Sequence, residues 1–249
     1  MLDNSAGRWA KRRIPMFHTN VLRIQRNFPT RVPRFDGEST LTFNVLFVHI
    51  PKTAGISTLS WLRDRAHVDF ILSAKDLASR IHTGLPGDVL CLGHIDIDSL
   101  IRLRYLDSEA VNAARSFCVV RHPTDRATSL YSFLRANGRI PLRWSFLRFL
   151  EEIRNHPPTP GPFNARGLSA CAPQVLWVKQ SAWRGPRHIL RFESLDSDLE
   201  SFELGWRGYA AGLPVEQKNS SATRTRAGGR ATAIIEDIYR EDFQQLGYS

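Results

Sequence analysis

The sequence is poor in cysteine and lysine and has no long uninterrupted apolar run. Its three cysteines, Cys91, Cys118 and Cys171, lie far apart and form no CxxC pair. This usage indicates neither a zinc site nor a disulfide framework, and it fits a reducing compartment. Cys91 and Cys118 fall in apolar runs, where cysteine commonly serves as a small core residue.

No segment approaches the ~20 consecutive apolar residues that a membrane span needs. The basic residues Lys11, Arg12 and Arg13 are not followed by an apolar run, so the N-terminus lacks the pattern of a signal peptide. If the chain is complete as given, the expected location is the cytoplasm.

Positive charge is abundant, and nearly all of it is arginine. The 249 residues include 34 lysines and arginines against 24 acidic residues, a net charge of +10, and 29 of the 34 are arginine. Because the arginine fork of donors matches phosphate and sulfate oxygens, this excess favours anionic partners. A GC-rich genome that places arginine codons on a solvated surface accounts for the bulk of them equally well.

Apolar runs alternate with amphipathic stretches from residue 43 onward. We interpret residues 1–42, which are basic and show little periodicity, as an N-terminal extension, and 43–249 as one domain. The predicted strands are 44–50, 68–72, 88–93, 116–121 and 188–192, and the predicted helices are 57–66, 74–82, 97–114, 123–135, 143–154, 172–180, 195–204 and 232–246. This alternation predicts an α/β fold, a P-loop-like three-layer domain with a central parallel sheet flanked by helices.

The run FVHIPKTAGIST, residues 47–58, is typical of a strand, a tight loop and the start of a helix. Parallel sheets bind ligands outside the carboxyl ends of their strands, and a helix N-terminus offers free N–H groups to an anion. Lys52 adds a full charge, and Gly55 permits close backbone approach. An ordinary solvated turn is the alternative. The phosphate loop predicted here consists of Pro51, Lys52, Thr53, Ala54, Gly55, Ile56, Ser57 and Thr58, with hydroxyl donors at Thr53, Ser57 and Thr58.

The order of residues in this loop differs from the GxxxxGK[ST] order of nucleotide-triphosphate P-loops. Lys52 precedes Gly55. The start of the predicted helix has no lysine followed directly by a serine or threonine, the pair that holds magnesium in those loops. This order disfavours a kinase or nucleotide hydrolase, which stays an alternative. A non-catalytic basic binding protein on the same fold is another.

A second anion site is predicted in VVRHPTDRATSLYSF, residues 119–133. Arg121 ends a buried strand, and Ser129 follows eight residues later in a helix that Pro123 opens. The two side chains can converge on one phosphate. Alternatively, Arg121 caps a structural network, and Arg126 pairs with Asp125 or another carboxylate. Two such sites at two strand ends predict a ligand with two separated anionic groups.

The two motifs together resemble those of the sulfotransferases that use 3′-phosphoadenosine 5′-phosphosulfate (PAPS). HIPKTAGIST (49–58) is similar to their 5′-phosphosulfate loop, and VRHPTDRATSLYSF (120–133) to their 3′-phosphate motif. The HIPKTAG wording resembles the carbohydrate branch (heparan, chondroitin and uronyl 2-O types) and its bacterial relatives, which favours a bacterial source. Weaker similarities at 92–94, 190–202, 219–221 and 238–248 extend the resemblance over about 44–248. His122 and the first forty residues depart from it.

This resemblance implies transfer of a sulfuryl group from PAPS to an acceptor hydroxyl, leaving 3′-phosphoadenosine 5′-phosphate (PAP), without a metal. It places Lys52 at the leaving phosphate oxygen, the phosphate loop on the 5′ side, and Arg121 and Ser129 on the 3′-phosphate. His94 is the chosen base, because it follows a buried strand at the same sheet edge as Lys52. A glutamate base is the alternative. The expected acceptor is a saccharide, and no nucleic-acid partner is expected.

Three further features have two interpretations each, and a fourth, His49, has one. His49, within a strand, is interpreted as a satisfied core histidine, and His122 either orients the nucleotide or faces solvent. The segment 219–229 either closes over the nucleotide or is a solvated basic loop. Core packing is favoured over a sugar groove for Trp144, Trp177 and Trp183.

Overall fold

The computed structural model describes residues 43–71, 77, 88–160, 167–179, 181–208, 210, 215–216 and 228–249. The predicted extension at 1–42, most of the helix predicted over 74–82 and most of the segment 219–229 lie outside the described residues. The division into 1–42 and 43–249 therefore stays a prediction.

Five parallel strands form one sheet with the first strand at its centre. They are β1 (Val45–His49), β2 (Val68–Ile71), β3 (Val89–Gly93), β4 (Arg115–Val120) and β5 (His188–Arg191), in the order β2-β3-β1-β4-β5. The connections leave β1 and β4 in opposite directions. The crevice between the carboxyl ends of these two strands is therefore the switch point at which open α/β sheets bind ligands.

Side chains of the central strands alternate between two apolar cores, one on each face of the sheet. Phe47 packs with Leu62 in one core, and Val48 packs with Leu100 in the other. Burial on both faces explains why β1 reads as a continuous apolar run. Full burial of such side chains stabilises the fold by roughly 1.5–3 kcal/mol each. The predicted α/β fold with a central parallel sheet flanked by helices is confirmed.

Helices cover both faces and continue beyond the sheet. They are α1 (Gly55–Arg63), α2 (Ile97–Arg102), α3 (Ser108–Ala113), α4 (Pro123–Ala136), α5 (Phe146–Asn155), α6 (Val175–Val178), α7 (Leu195–Arg207), α8 (Gly229–Ile238) and α9 (Arg240–Leu246), with 3₁₀ turns at Gly167–Cys171 and Phe192–Ser194. Of the helices in the described ranges, none combines the length and apolar character that crossing a bilayer requires.

Two predicted helices are each divided in two, and both predictions were wrong in this respect. The segment predicted over 97–114 breaks after α2, where Arg104 adopts a φ of 66° and the side chain of Asp107 caps α3. The segment predicted over 232–246 breaks at Tyr239, whose hydroxyl donates to the Cys171 carbonyl at 2.9 Å. A local turn and cap interrupt the helical period at the first place, and a contact 68 positions away in the sequence accompanies the break at the second.

The core interpretation of the cysteines and tryptophans is confirmed. All three cysteines are buried free thiols, and burial raises the pKa of Cys171 to about 12. Trp177 and Trp183 are buried in a sheet core, and Trp144 packs, half-buried, against the cluster around α5.

Candidate active site

The phosphate loop connects β1 to α1 and contains two left-handed residues that are not glycine. Lys52 has a φ of 66°, and Ala54, at the N-cap of α1, has a φ of 74°. This backbone costs roughly 1–2 kcal/mol per residue, so contacts must hold it in place. The Thr53 hydroxyl donates to the Ile50 carbonyl at 3.0 Å, and the Thr58 N–H donates to the Ala54 carbonyl at 3.0 Å. A left-handed residue before a helical one turns successive N–H groups toward one side, as in anion-binding nests.

The N-terminus of α1 carries no negative charge of its own. Its first turn has no acidic residue, and Ala54 provides no side-chain cap. In contrast, the carboxylates of Asp96 and Asp107 cap α2 and α3 by accepting N–H groups. The positive end of α1 is therefore left for an external anion, with Lys52 beside it.

The three hydroxyl residues of the loop are buried, and they differ in their hydrogen bonding. The Thr53 hydroxyl donates its hydrogen bond to the Ile50 carbonyl, so this side chain shapes the loop. The Thr58 hydroxyl is fully buried and has no hydrogen-bond partner among the described residues. An orphaned buried hydroxyl is costly, and a phosphate oxygen would satisfy it. Ser57 is buried, while Ile56 is 45% exposed at the rim.

Gly55 is required by the packing of a protein side chain against it. A Cβ built on Gly55 would lie 1.5 Å from Nε2 of His49. His49 is buried as predicted, and burial, His94 and Lys52 together lower its pKa well below the ordinary value. Its Nδ1 atom has no partner among the described residues. The prediction that His49 is a satisfied core histidine was therefore wrong about its hydrogen bonds.

His94 lies directly after β3 and faces the ring of His49. The two ring centroids are 4.4 Å apart, because the parallel register pairs His49 with Gly93. Burial is the main cause that lowers the pKa of His94 to about 4, followed by the charges of Arg126, Lys52 and Arg139. The imidazole is thus neutral at pH 7, with a lone pair that can accept a proton.

Lys52 shares an aromatic surface with an arginine that sequence reasoning missed. Its Nζ lies 4.5 Å from the Phe133 ring centroid, and the guanidinium carbon of Arg139 lies 5.7 Å from the same centroid. Burial, and then the charge of Arg121, lower the pKa of Lys52. The available signal was Phe133 at the end of the second motif, one helical turn after Ser129 on the same face of α4.

Arg121 follows β4, the strand next to β1, and is held at both ends. Its backbone N–H donates to Oε1 of Gln174 at 2.9 Å, and its carbonyl accepts from Nε2 of Gln174 at 2.8 Å. Its guanidinium carbon lies 4.1 Å from the Phe192 ring centroid. Ser129 is buried on α4. Convergence of Arg121 and Ser129 on one phosphate stays a prediction.

Arg126 does not pair with Asp125, which corrects one of the alternatives for the second motif. It is 1% exposed, and its guanidinium donates to three carbonyls: Pro51 at 3.0 Å, Ala170 at 2.9 Å and Ala172 at 3.1 Å. The fork geometry suits several acceptors at once. Arg126 therefore fastens the phosphate loop to α4 and to the 3₁₀ turn Gly167–Cys171.

His122 caps a helix, which neither interpretation of this residue included. Its Nδ1 accepts the Thr124 N–H of α4 at 3.3 Å, which leaves Nε2 to donate to the main-chain oxygen of Ser249 at 3.3 Å. Its own backbone N–H donates to Glu193 at 2.7 Å. The residue thus fixes the start of α4, on which Arg126 and Ser129 stand.

No protein-family model matches this chain, and no curated protein sequence matches it. The solved structures that resemble it in fold include two sulfotransferases. One is a sulfotransferase from Alicyclobacillus acidocaldarius, 17% identical, with a TM-score of 0.48 over 82% of this chain and 94% of its own. The other is the mouse sulfotransferase SULT7A1 complexed with PAP, 11% identical, with a TM-score of 0.46 over 84% of this chain and 68% of its own.

Both neighbours are sulfotransferases. At these identities and TM-scores the similarity is remote, and neither structure assigns a role to any residue of this chain. The chemistry open to this chain follows from its own loop, cations and histidine pair.

The site is a cluster of cations around a histidine that is neutral at pH 7. Its cations are Lys52 after β1, Arg121 after β4 and Arg139 after α4. Within the described ranges, no group of three or more histidine, cysteine or acidic side chains is arranged to hold a metal ion. The prediction that no metal is needed stays a prediction. Such a site can bind an anion, stabilise negative charge that develops on it, and accept a proton nearby.

Proposed function

We propose that this protein is a sulfotransferase that transfers a sulfuryl group from PAPS to a hydroxyl of an acceptor, which is a carbohydrate. One observation supports this more than any other. Three adjacent strand ends each carry one group that the reaction needs: Lys52 after β1, Arg121 after β4 and His94 after β3.

The donor fits the residues present on three counts. The helix α1 begins without a cap or an acidic residue, beside Lys52. The buried Thr58 hydroxyl has no partner in the described part of the chain. Burial, and then the charge of Arg121, lower the pKa of Lys52, and a bound anion would favour its charged form. Bound PAPS supplies the sulfuryl group.

Residues at different positions in the site bind different parts of the donor. Pro51 to Thr58 hold the 5′ side, with Lys52 on the oxygen that becomes negative as the sulfur–oxygen bond breaks. Arg121 and Ser129 hold the 3′-phosphate. Preorganised cations and N–H groups of this kind stabilise charge without having to reorganise.

His94 accepts the proton of the acceptor hydroxyl. Its pKa of about 4 keeps it unprotonated at neutral pH, which a base requires. The same value makes it a weak base at equilibrium, so its contribution comes from accepting the proton as the new oxygen–sulfur bond forms. We propose that His49, whose buried ring packs against that of His94, supports His94 and does not contact the substrate.

The proposal is tested by transfer and by binding. The protein is incubated with ³⁵S-labelled PAPS and a panel of saccharides, polysaccharides and simple alcohols, and labelled product is separated from donor. Binding of PAP and of 5′-AMP, which lacks the 3′-phosphate, is measured by titration calorimetry. We expect PAP to bind at least tenfold more tightly than 5′-AMP, and Arg121→Ala to abolish that preference.

Two other outcomes would contradict the proposal. Magnesium-dependent hydrolysis of ATP without sulfate transfer would indicate a kinase or nucleotide hydrolase. Salt-sensitive binding of polyanions that is indifferent to PAP, and unchanged in Lys52→Ala, would indicate a basic binding protein. The cytoplasmic location and the lack of a nucleic-acid partner remain predictions.

A further inference from the structure

We propose that Gln174 is a positioning residue for Arg121, and that Asp242 of α9 holds Gln174 in place. Selection of the donor's 3′-phosphate then depends on α9. This inference rests on the proposed function, because it concerns how Arg121 is presented to the donor.

The amide of Gln174 grips the backbone of Arg121 from both sides. Its Oε1 accepts the Arg121 N–H at 2.9 Å, and its Nε2 donates to the Arg121 carbonyl at 2.8 Å. Gln174 is fully buried and lies 53 positions away in the sequence. A side chain that bonds both polar groups of one residue restrains that residue in the way a neighbouring strand would. Arg121 is the first residue beyond β4, where the regular pairing with β5 has ended.

Asp242 fixes Gln174 in turn. One carboxylate oxygen accepts from the Gln174 N–H at 2.9 Å and from its Nε2 at 3.3 Å, and the other accepts from the Val175 N–H at 2.9 Å. Asp242 is also fully buried. The chain of contacts therefore runs from α9 through Gln174 to Arg121 without a solvent-exposed link.

Only one orientation of the amide satisfies these partners. The Nε2 end meets two acceptors, the Arg121 carbonyl and the Asp242 carboxylate, while the Oε1 end meets a donor. A flipped amide, or a glutamate, would face oxygen with oxygen at two contacts. Glutamine is thus specified by chemistry as well as by size.

The guanidinium is restrained from the other side. Its carbon lies 4.1 Å from the ring centroid of Phe192, at the 3₁₀ turn that follows β5. With its backbone held by Gln174 and its head lying on Phe192, Arg121 is preorganised for an anion. Loosening the backbone end would weaken contacts made to the 3′-phosphate and spare those made to the 5′ side.

The test compares two ligands that differ in that phosphate. Affinities of the full chain for PAP and 5′-AMP are measured by calorimetry for wild type, Gln174→Met, Asp242→Asn and Arg121→Ala. We expect Gln174→Met to weaken PAP binding roughly tenfold and to change 5′-AMP binding by less than about twofold, with Asp242→Asn intermediate. The matched control is Gln245→Met, which removes a glutamine from the exposed face of α9.

Every outcome decides the question. Equal weakening of PAP and 5′-AMP binding would make Gln174 a residue of general structural importance, and no weakening would make it irrelevant; either result overturns the inference while leaving the proposed function standing. If Gln174→Met does not fold, as judged by circular dichroism, Asp242→Asn carries the comparison under the same criteria. If wild type binds PAP no more tightly than 5′-AMP, the proposed donor site fails, and this inference fails with it.

Discussion

Lys52 is subject to opposing influences that a bound anion would resolve. Burial and the charge of Arg121 lower its pKa, while its ammonium group lies against the face of Phe133. The ring face partly offsets the lost hydration of the cation. An anion at the α1 N-terminus would favour the charged form further, so that donor binding and the charge of Lys52 reinforce each other.

Replacement of Lys52 by methionine tests its part in turnover. Methionine keeps the length and the apolar stem and removes the charge, so we expect kcat to fall by about 10²–10³-fold, as when one stabilising donor is lost from a preorganised site. Transfer from labelled PAPS is the measurement. Lys179→Met, at an exposed lysine after α6, is the matched control and should leave kcat unchanged.

The same variant tests the charge coupling between Lys52 and the histidines. Lys52 is one of the cations that lower the pKa values of His94 and His49. Its removal favours the protonated imidazole, so we expect the pKa of His94 to rise from about 4 toward its ordinary value, measured by NMR titration of labelled histidine. An unchanged or lower pKa would place Lys52 too far from His94 for the proposed roles.

At the scale of elements, the turn from β1 into α1 is locked by the contact between Gly55 and His49. Gly55→Ala would drive a methyl group into the His49 ring, at 1.5 Å from Nε2. We expect a loss of about 1–3 kcal/mol in the free energy of unfolding, as in other overpacked cores, measured by urea denaturation.

The control for that substitution is Gly229→Ala at the start of α8, where an added Cβ meets nothing within 4 Å. It should be neutral or stabilise the protein by up to about 1 kcal/mol. If Gly55→Ala leaves the free energy of unfolding unchanged, the His49 ring must be free to move. The packing of His49 against His94 would then not be fixed.

Arg126 connects three elements, and a lysine cannot reproduce its geometry. Arg126→Lys keeps the charge but leaves at least one of the three carbonyls at Pro51, Ala170 and Ala172 without its donor. We expect a loss of about 2–4 kcal/mol in urea denaturation, because a buried partner is left unsatisfied. Arg240→Lys, at an exposed residue paired with Asp237, should change stability by less than about 0.5 kcal/mol.

The limits of sequence reasoning are clearest among these elements. The strand, loop and helix start over residues 47–58 and the start of α4 could be predicted, because strand end, proline and helix start are local signals. The break at Tyr239 depends on Cys171, and the clamp at Arg126 depends on Ala170 and Ala172. Partners 44 to 68 positions away leave no local pattern, and neither does the grip of Gln174 on Arg121.

At the scale of the whole molecule, buried neutral histidines make stability depend on pH. In the unfolded chain His94 and His49 titrate near 6.5, whereas the folded protein lowers both pKa values, that of His94 to about 4. Below pH 6.5 the unfolded chain therefore binds more protons, and stability falls as the pH is lowered. For His94 the loss is complete near pH 4 and has an upper limit of about 3 kcal/mol.

Urea denaturation at pH 7.5 and pH 5.5 measures this loss in a range where most carboxylates stay ionised. We expect wild type to lose more stability than His94→Gln over the interval. His188, whose pKa is also lowered by burial and two arginines, contributes in the same direction to both proteins. Equal losses in the two proteins would show that His94 titrates normally in the folded state.

The fold as a whole was predictable, because a parallel sheet buried on both faces leaves continuous apolar runs at β1, β3 and β4. The place of the candidate site at the sheet edge could be predicted, because strand ends in such sheets meet at one edge; its role stays a prediction. The interior of the site could not be predicted. The unsatisfied nitrogen of His49 and the shared ring of Phe133 arise from packing between strands and helices that no spacing in the sequence encodes.

The central place of β1 in the sheet bears on the order in which the protein can assemble. Both neighbours of β1, β3 and β4, are made later during synthesis, so β1 finds its second partner only after Val120 has left the ribosome. Pairings this distant in sequence are slow to form. The nascent chain therefore exposes at least one edge of the apolar strand β1 until Val120 has been made. We expect chaperones to bind this part of the chain during that interval.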